Sequence, residues 1–203
     1  MTMYPFKRVV FALTVTVWSS GCVDGPKWER TMAEARRQME AQQYAEAERS
    51  LLSAYDQANR LHRLHPYPLE TDLELAQLYF KIGAYDREKA ALTRAIKRLE
   101  TVESEAHPGL ARLYSDLGRA CDLLAQYDEA RTHYLRALPV AERLPVENEL
   151  DYLYLDMAVN AARRKQIAEA DGYFAKATAV AQRLHSGGTI FEEIRAKRAE
   201  VGR

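Results

Sequence analysis

Gln126-Tyr127-Asp128-Glu129-Ala130 is the clearest copy of a five-residue motif that occurs four times along the chain of 203 residues. The other copies are QYAEA at 43–47, AYDRE at 84–88 and QIAEA at 166–170, and their second residues follow one another at spacings of 41, 42 and 40. Recurrence at such a period indicates one supersecondary unit that is copied and stacked. Because each unit buries its apolar face against its neighbours, one unit determines the fold of the array.

Two amphipathic helical patterns flank this motif. Before it, apolar residues recur at intervals of three and four, the spacing of one helix face; they are Leu110, Leu113, Leu117, Cys121 and Leu124. After it, a second stripe consists of Ala130, Tyr134, Ala137 and Leu138. Small residues such as Gly118 let the two helices approach closely. The unit is therefore predicted to be an antiparallel helix pair with a turn at 126–128.

The arrangement of the large and small residues resembles the tetratricopeptide repeat; the matching residues are Tyr114, Leu117, Gly118, Cys121, Tyr127, Ala130, Tyr134 and Ala137. The other repeats match less closely, and Glu88 replaces the usual small residue in the second. The resemblance covers about residues 28–185. It implies an all-α fold, a right-handed α-solenoid of about four helix pairs. The implied repeats are at about 28–66, 69–107, 108–147 and 149–186, with a capping helix at about 189–201.

The period of about 41 residues is longer than the 34 usual in this family. His107-Pro108, at the junction of the second and third repeats, is similar to the longer repeats of kinesin light chains. We expect the surplus to lengthen the second helix of each pair to about 18 residues, or about 27 Å. Pro139 should kink or end the helix that contains it, because it removes a helical hydrogen bond.

The first 21 residues have the pattern of an export signal. Lys7 and Arg8 provide a positive start, and an apolar stretch at 9–18 follows. A helix that spans a membrane needs about 20 apolar residues, so this stretch is too short to be a stable anchor by itself.

Ser19-Ser20-Gly21-Cys22 resembles the lipobox of bacterial lipoproteins, in which the cysteine is acylated and the signal is cleaved before it. The resemblance implies a signal peptide at 1–21, lipidation (including palmitate) at Cys22 and a short tether at 22–27. Ser19 and Gly21 also suit ordinary signal cleavage, which would leave Cys22 a free thiol. An uncleaved anchor is the third possibility.

A lipid anchor of this kind implies a protein of the bacterial cell envelope that faces the periplasm. Val23, directly after Cys22, is not the Asp that retains lipoproteins at the inner membrane of enteric bacteria. The resemblance therefore slightly favours the outer membrane.

Composition and motifs argue against several kinds of function. The 29 basic and 29 acidic side chains balance, so the chain lacks the basic excess with which proteins bind nucleic acid. No phosphate-binding glycine loop, HExxH, paired CxxC or GxSxG motif occurs. His62 and His65 are three residues apart, but no third metal ligand is obvious. We predict no catalytic residue, no metal site, no cofactor and no small-molecule substrate.

In the family that the chain resembles, the first helix of each pair lines a concave surface that binds partners. By position, the resemblance implies a partner-binding set of Gln77, Phe80, Lys81, Arg112, Arg119, Tyr152, Leu155 and Arg163. The cationic members suit a carboxylate of the partner, and the apolar members suit a buried anchor. The alternative is that these charges only solvate the groove and that partners use the convex face or an edge.

Together these features favour a membrane-tethered scaffold or assembly factor of a bacterial envelope complex, which binds protein or peptide partners. One alternative is a homo-oligomeric structural lipoprotein of the envelope. Another is an enzyme or binding protein that acts on peptidoglycan, although no convergent acids support it. A cytosolic co-chaperone adaptor is excluded if the N-terminus is an export signal.

Overall fold

The computed structural model describes residues 25–60, 66–102, 107–144, 150–183 and 188–201. The predicted signal segment, Cys22, His62 and His65 lie outside these ranges. Every regular element within them is an α-helix. In chain order the helices are α1 (Gly25–Glu40), α2 (Tyr44–Asn59), α3 (Pro66–Lys81), α4 (Tyr85–Val102), α5 (Pro108–Leu123), α6 (Tyr127–Ala141), α7 (Leu150–Arg163), α8 (Ile167–Arg183) and α9 (Gly188–Val201).

The helices form four pairs, α1–α2, α3–α4, α5–α6 and α7–α8, and each pair packs on the next. The all-α arrangement of stacked helix pairs that the sequence predicts is confirmed. Helix α7 also contacts α5 and α9, which do not adjoin it in the sequence, so these three odd-numbered helices approach each other on one side. That side is the concave face of the array, and it is called the groove below.

The second helices differ in length. They contain 16 residues in α2, 18 in α4, 15 in α6 and 17 in α8. The prediction of about 18 residues is therefore correct for α4 and too long for α2 and α6. Pro139 lies inside α6, which ends two residues later at Ala141. Since proline has no N–H to donate to the carbonyl of Leu135, the helix is weakened at its last turn, as the sequence predicts.

The last helix, α9, closes the array. Ile190 and Ile194 on one face of α9 are buried, and the helix contacts both α7 and α8. A terminal helix with one apolar face covers the core of the last repeat and turns its polar face to water. Within the described residues, no helix combines the length and apolar character that a membrane crossing requires.

The turn inside each pair is the same in all four repeats. Two residues after the first helix ends, the chain takes a positive φ, between 58° and 71°, at Gln42, Gly83, Ala125 and Lys165. In the third repeat, the Gln126 N–H donates to the Cys121 carbonyl at 2.8 Å and the Ala125 N–H donates to the Asp122 carbonyl at 3.1 Å. Corresponding bonds occur in the other three turns. This is the Schellman ending of a helix, and it fixes the direction in which the second helix starts.

The two helices of the third pair are in close contact at Gly118. A Cβ atom at this position would lie 2.6 Å from Cε1 of Tyr134, which is only 1% exposed. The Tyr134 hydroxyl also donates to Oδ2 of Asp122 at 3.0 Å, so the ring is held at both ends. The absence of a side chain at Gly118 is thus a packing requirement of the α5–α6 contact.

Ala125→Gly should raise the free energy of unfolding by about 1 kcal/mol, because glycine adopts the left-handed conformation without the strain that alanine bears. Urea unfolding monitored by circular dichroism measures the change. Gly83→Ala, at the equivalent position, should lower the free energy by a similar amount. Ala179→Gly, at an exposed position inside α8, is the matched control and should lower it by about 0.5–1 kcal/mol. Destabilisation by Ala125→Gly to the same extent as by this control would contradict the turn assignment.

Gly118→Ala should lower the free energy of unfolding by about 1–3 kcal/mol, because the added methyl group overlaps the anchored Tyr134 ring. Gly172→Ala in α8 is the control, since a Cβ there meets nothing within 4 Å. This control should raise the free energy by about 0.5–1 kcal/mol through helix propensity alone. If both variants changed stability in the same direction, the close contact at Gly118 would be disproved.

Candidate interaction groove

The structure places the predicted partner-binding residues on the odd-numbered helices, with unequal exposure. Lys81 and Arg163 are exposed, whereas Gln77, Phe80, Arg112, Arg119 and Tyr152 are half-buried. Leu155 is only 2% exposed, and in the free protein its side chain packs in the core of the fourth repeat. Whether these residues bind a partner stays a prediction.

Arg119 on α5 is held by three neighbours. Its guanidinium lies 2.8 Å from Oδ1 of Asp116, 4.0 Å from Oε1 of Glu88 and 4.7 Å from the centre of the Phe80 ring. Burial alone would lower the pKa of Arg119, but nearby carboxylates, Asp116 foremost, raise it above its ordinary value. Its side chain is 22% exposed, and most of its charge is therefore neutralised within the chain.

Arg112 is engaged in the same way. Its Nε donates to Oδ2 of Asp116 at 3.0 Å, one helical turn further along α5. Asp116 thus lies between two arginines and neutralises charge that the sequence analysis assigned to a partner. The helical spacing from Arg112 and Arg119 to Asp116, four residues and three, was a sequence signal for this pairing.

Glu88 on α4 is a buried carboxyl group whose hydrogen bonding is incomplete. It is 2% exposed and occupies the position that Ala47, Ala130 and Ala170 hold in the other repeats. Its Oε2 accepts no hydrogen bond from the described residues. Burial raises the pKa of Glu88 to about 8, against the attraction of Arg119, and repulsion by Asp116 adds to the rise. Glu88 is therefore mostly protonated at neutral pH.

Asp122 joins three helices at the base of the groove. It accepts hydrogen bonds from the Tyr134 hydroxyl of α6 at 3.0 Å and from Nδ2 of Asn160 of α7 at 2.7 Å. Nδ2 of Asn160 also donates to the Tyr127 carbonyl at 2.8 Å. Burial raises the pKa of Asp122, while these donors and Arg163 at 4.0 Å act in the opposite direction. The network fixes the third repeat against the fourth.

Asp156 on α7 differs from the other acids of the groove. It is enclosed by protein on nearly all sides but keeps an exposed strip of surface. Enclosure raises the pKa of Asp156 to about 7; Arg119 acts against this rise, and the carboxylates of Asp122, Asp116 and Glu193 add to it. Among the described residues, none donates a hydrogen bond to Asp156 or forms an ion pair with it. The sequence gives no signal for Asp156, because the surroundings of this side chain depend on contacts between repeats.

A second concavity lies among the helices of the first two repeats. It has a volume of about 210 Å³ and is lined by Leu52, Tyr55, Leu75, Tyr79, Arg87, Ala90 and Arg94 of α2, α3 and α4. Arg87 lies over the Tyr79 ring at 4.8 Å, and Arg94 lies over the Tyr55 ring at 5.1 Å. Both arginines also form ion pairs within the chain, with Glu48 and Asp72 respectively.

One group of side chains has the composition of a metal site, which the sequence analysis did not predict. Ligand atoms of Cys121, Glu129 and His133 lie within 4.8 Å of one another. Burial raises the pKa of the Cys121 thiol to about 11 and lowers that of His133. Nζ of Lys89 lies 2.7 Å from Oε2 of Glu129 and supplies a cation there. The group is therefore already balanced electrostatically by the chain itself.

Stacked helix pairs with an open groove on one side define an array of helical repeats. In agreement, residues 90–143 match the tetratricopeptide repeat family, as the resemblance in the sequence implies. A comparison with curated protein sequences finds no match.

Solved structures with the same fold include three informative cases. BtubC (BKLC) from P. vanneervenii superposes with a TM-score of 0.72 at 13% identity, over 78% of this chain and 65% of that chain. Aspartyl phosphate phosphatase F from Bacillus subtilis superposes with a TM-score of 0.72 at 18% identity, over 87% of this chain and 45% of that chain. Kinesin light chain TPR-like repeats from Podosopora anserina superpose with a TM-score of 0.65 at 20% identity, over 87% of this chain and 97% of that chain. The chain thus spans less than two thirds of the first two, and all three show the fold alone.

The charge state of Glu88 should be visible in the stability of the protein. Because the folded-state pKa of about 8 lies above the ordinary value of 4.5, the folded protein binds more protons in this interval. The contribution of Glu88 to stability is therefore complete below about pH 4.5 and is lost as pH rises through about 8. Glu88→Gln should be more stable than the wild type by about 1–3 kcal/mol at pH 8, and by less at pH 5.

Urea unfolding at a series of pH values measures this difference, and Glu192→Gln, an exposed acid on α9, serves as the control. Equal pH dependence for Glu88→Gln and the wild type would show that Glu88 is ionised and satisfied in the folded state.

Proposed function

We propose that this protein is a scaffold, tethered to a membrane of the bacterial cell envelope, that holds a segment of a partner protein in its groove. The fold of stacked helix pairs supports binding of protein partners. The observation that carries the proposal is the open groove, where the half-buried side chains of Gln77 and Phe80 come from the second repeat and that of Tyr152 comes from the fourth. An extended segment laid along the groove can contact all of these helices, as a compact small molecule cannot.

The tether follows from the sequence between Cys22 and the first helix. Since α1 begins at Gly25, only Val23 and Asp24 separate it from the proposed lipidation site. The three residue-to-residue steps from Cys22 to Gly25 can span at most about 10 Å. Two or three acyl chains on Cys22 would give stable anchoring where one chain is marginal. The first helix pair would then lie close to the lipid headgroups, and the groove would begin there.

Cells that carry a photo-crosslinking amino acid at position 152 test this function directly. We expect ultraviolet light to join position 152 in the groove covalently to another protein, identified by mass spectrometry. The matched control is position 135, because Leu135 is 39% exposed on the outer helix α6. The same cells test the tether: the wild type should sediment with membranes, and Cys22→Ser should be released into the soluble fraction.

Adducts from position 135 and none from position 152 would move the binding surface to the convex face and contradict the proposal. Adducts only with a second copy of this chain would replace it with the homo-oligomeric alternative. A wild type in the soluble fraction with an unmodified Cys22 would disprove the tether.

A further inference from the structure

The groove contains a carboxyl group with which no cationic group of the described residues forms an ion pair. Around the point where α5, α7 and α9 meet, the carboxyl groups are Asp116, Asp122, Asp156 and Glu193, with Glu88 beneath them. The cationic groups nearby are Arg112, Arg119 and Arg163, and the first two are bound to Asp116. Asp116 and Asp122 thus have partners within the chain, whereas Asp156 keeps exposed surface and forms no hydrogen bond or ion pair with a described residue.

Glu88 lies next to this group of carboxyl groups, and Arg119 does not satisfy it. Its side chain is 3% exposed, and its Oε2 accepts no hydrogen bond. Arg119, the nearest cation, approaches only to 4.0 Å because its guanidinium is held 2.8 Å from Asp116 and over the ring of Phe80. Arg119 is thus held by Asp116 and Phe80 in a position from which it does not reach Glu88, and its own Nε also has no acceptor among the described residues.

We infer that the partner segment presents a lysine or arginine side chain, which pairs with Asp156 in the groove between α5 and α9. Asp156 keeps exposed surface, so an ammonium or guanidinium group can reach it from solvent. Asp122, Asp116 and Glu193 add attraction for the same cation. This inference rests on the proposed function and specifies the chemistry of the partner.

Tyr152 adds a second contact for such a side chain. It lies four residues before Asp156 on α7, which places the two side chains on the same helix face, and it is half-buried. The aliphatic stem of a lysine or arginine can lie along an aromatic ring while its charged end reaches a carboxylate. The sequence-based expectation, an acidic partner bound by Arg119 and Arg163, is the competing possibility. Its weakness is that Arg119 is already paired.

Three blocked tripeptides, acetyl-Leu-X-Leu-amide with X as Arg, Gln or Glu, test the inference by nuclear magnetic resonance titration of the purified protein. The Arg peptide should shift the α7 backbone amide signals saturably and bind at least tenfold more tightly than the other two. Asp156→Asn should abolish this preference. Asp86→Asn makes the same charge change at an exposed position of α4 and should leave it intact.

The pH dependence of the wild type provides a test that needs no variant. Because the pKa of Asp156 is about 7, the Arg peptide should bind about tenfold more tightly at pH 8 than at pH 6, while the Gln peptide should not change. Glu88 titrates in the same direction at about 8, and the other charged groups that act on Asp156 are Arg119, Asp116, Asp122 and Glu193.

Preferred binding of the Glu peptide, equal binding of all three, or no binding of any would overturn the inference. The first two results would leave the scaffold function standing with a different partner chemistry. If no peptide binds, crosslinking at position 152 shows whether the scaffold function also fails, because that experiment does not depend on the charge of the partner.

Discussion

The hydrogen bonds that end the first helix of each pair determine the geometry of the rest. In the third repeat, the Gln126 N–H reaches back five residues to the Cys121 carbonyl, and Ala125 takes the left-handed conformation that this bond requires. Because this turn is repeated at nearly constant spacing, the second helix of each pair has the same direction relative to the first helix of that pair. The odd-numbered helices then face one side together, and the groove exists because four equivalent turns are in phase.

The sequence predicted those parts of the fold that depend on residues close in the chain. The stripe from Leu110 to Leu124, the small residue Gly118 and the recurring motif were sufficient to predict helix pairs in an array. Ala125 carries no signal of a left-handed residue, since alanine there resembles any helical alanine, and only its bonding identifies it. The predicted length of α6 was too large because Pro139 removes a hydrogen bond from the last turn of that helix, which ends at Ala141.

The groove was less predictable because its charges are set by contacts between repeats. The pairing of Asp116 with Arg119 was readable from helical spacing, but the approach of Glu88 from α4 depends on how the second pair sits against the third. Asp156 is perturbed by groups on α5 and α9, which lie 34 or more positions away in the sequence. A sequence pattern identifies groove positions by analogy, whereas their charge balance requires the packed structure.

The central claim is that the groove holds carboxyl groups that the chain does not neutralise. Titration of the side-chain carboxyl carbons by nuclear magnetic resonance, in the free protein, tests it most directly. The account predicts midpoints near pH 7 for Asp156 and near pH 8 for Glu88. Midpoints near pH 4 for both, the ordinary value for a solvated carboxyl, would show that both charges are satisfied and would contradict the account.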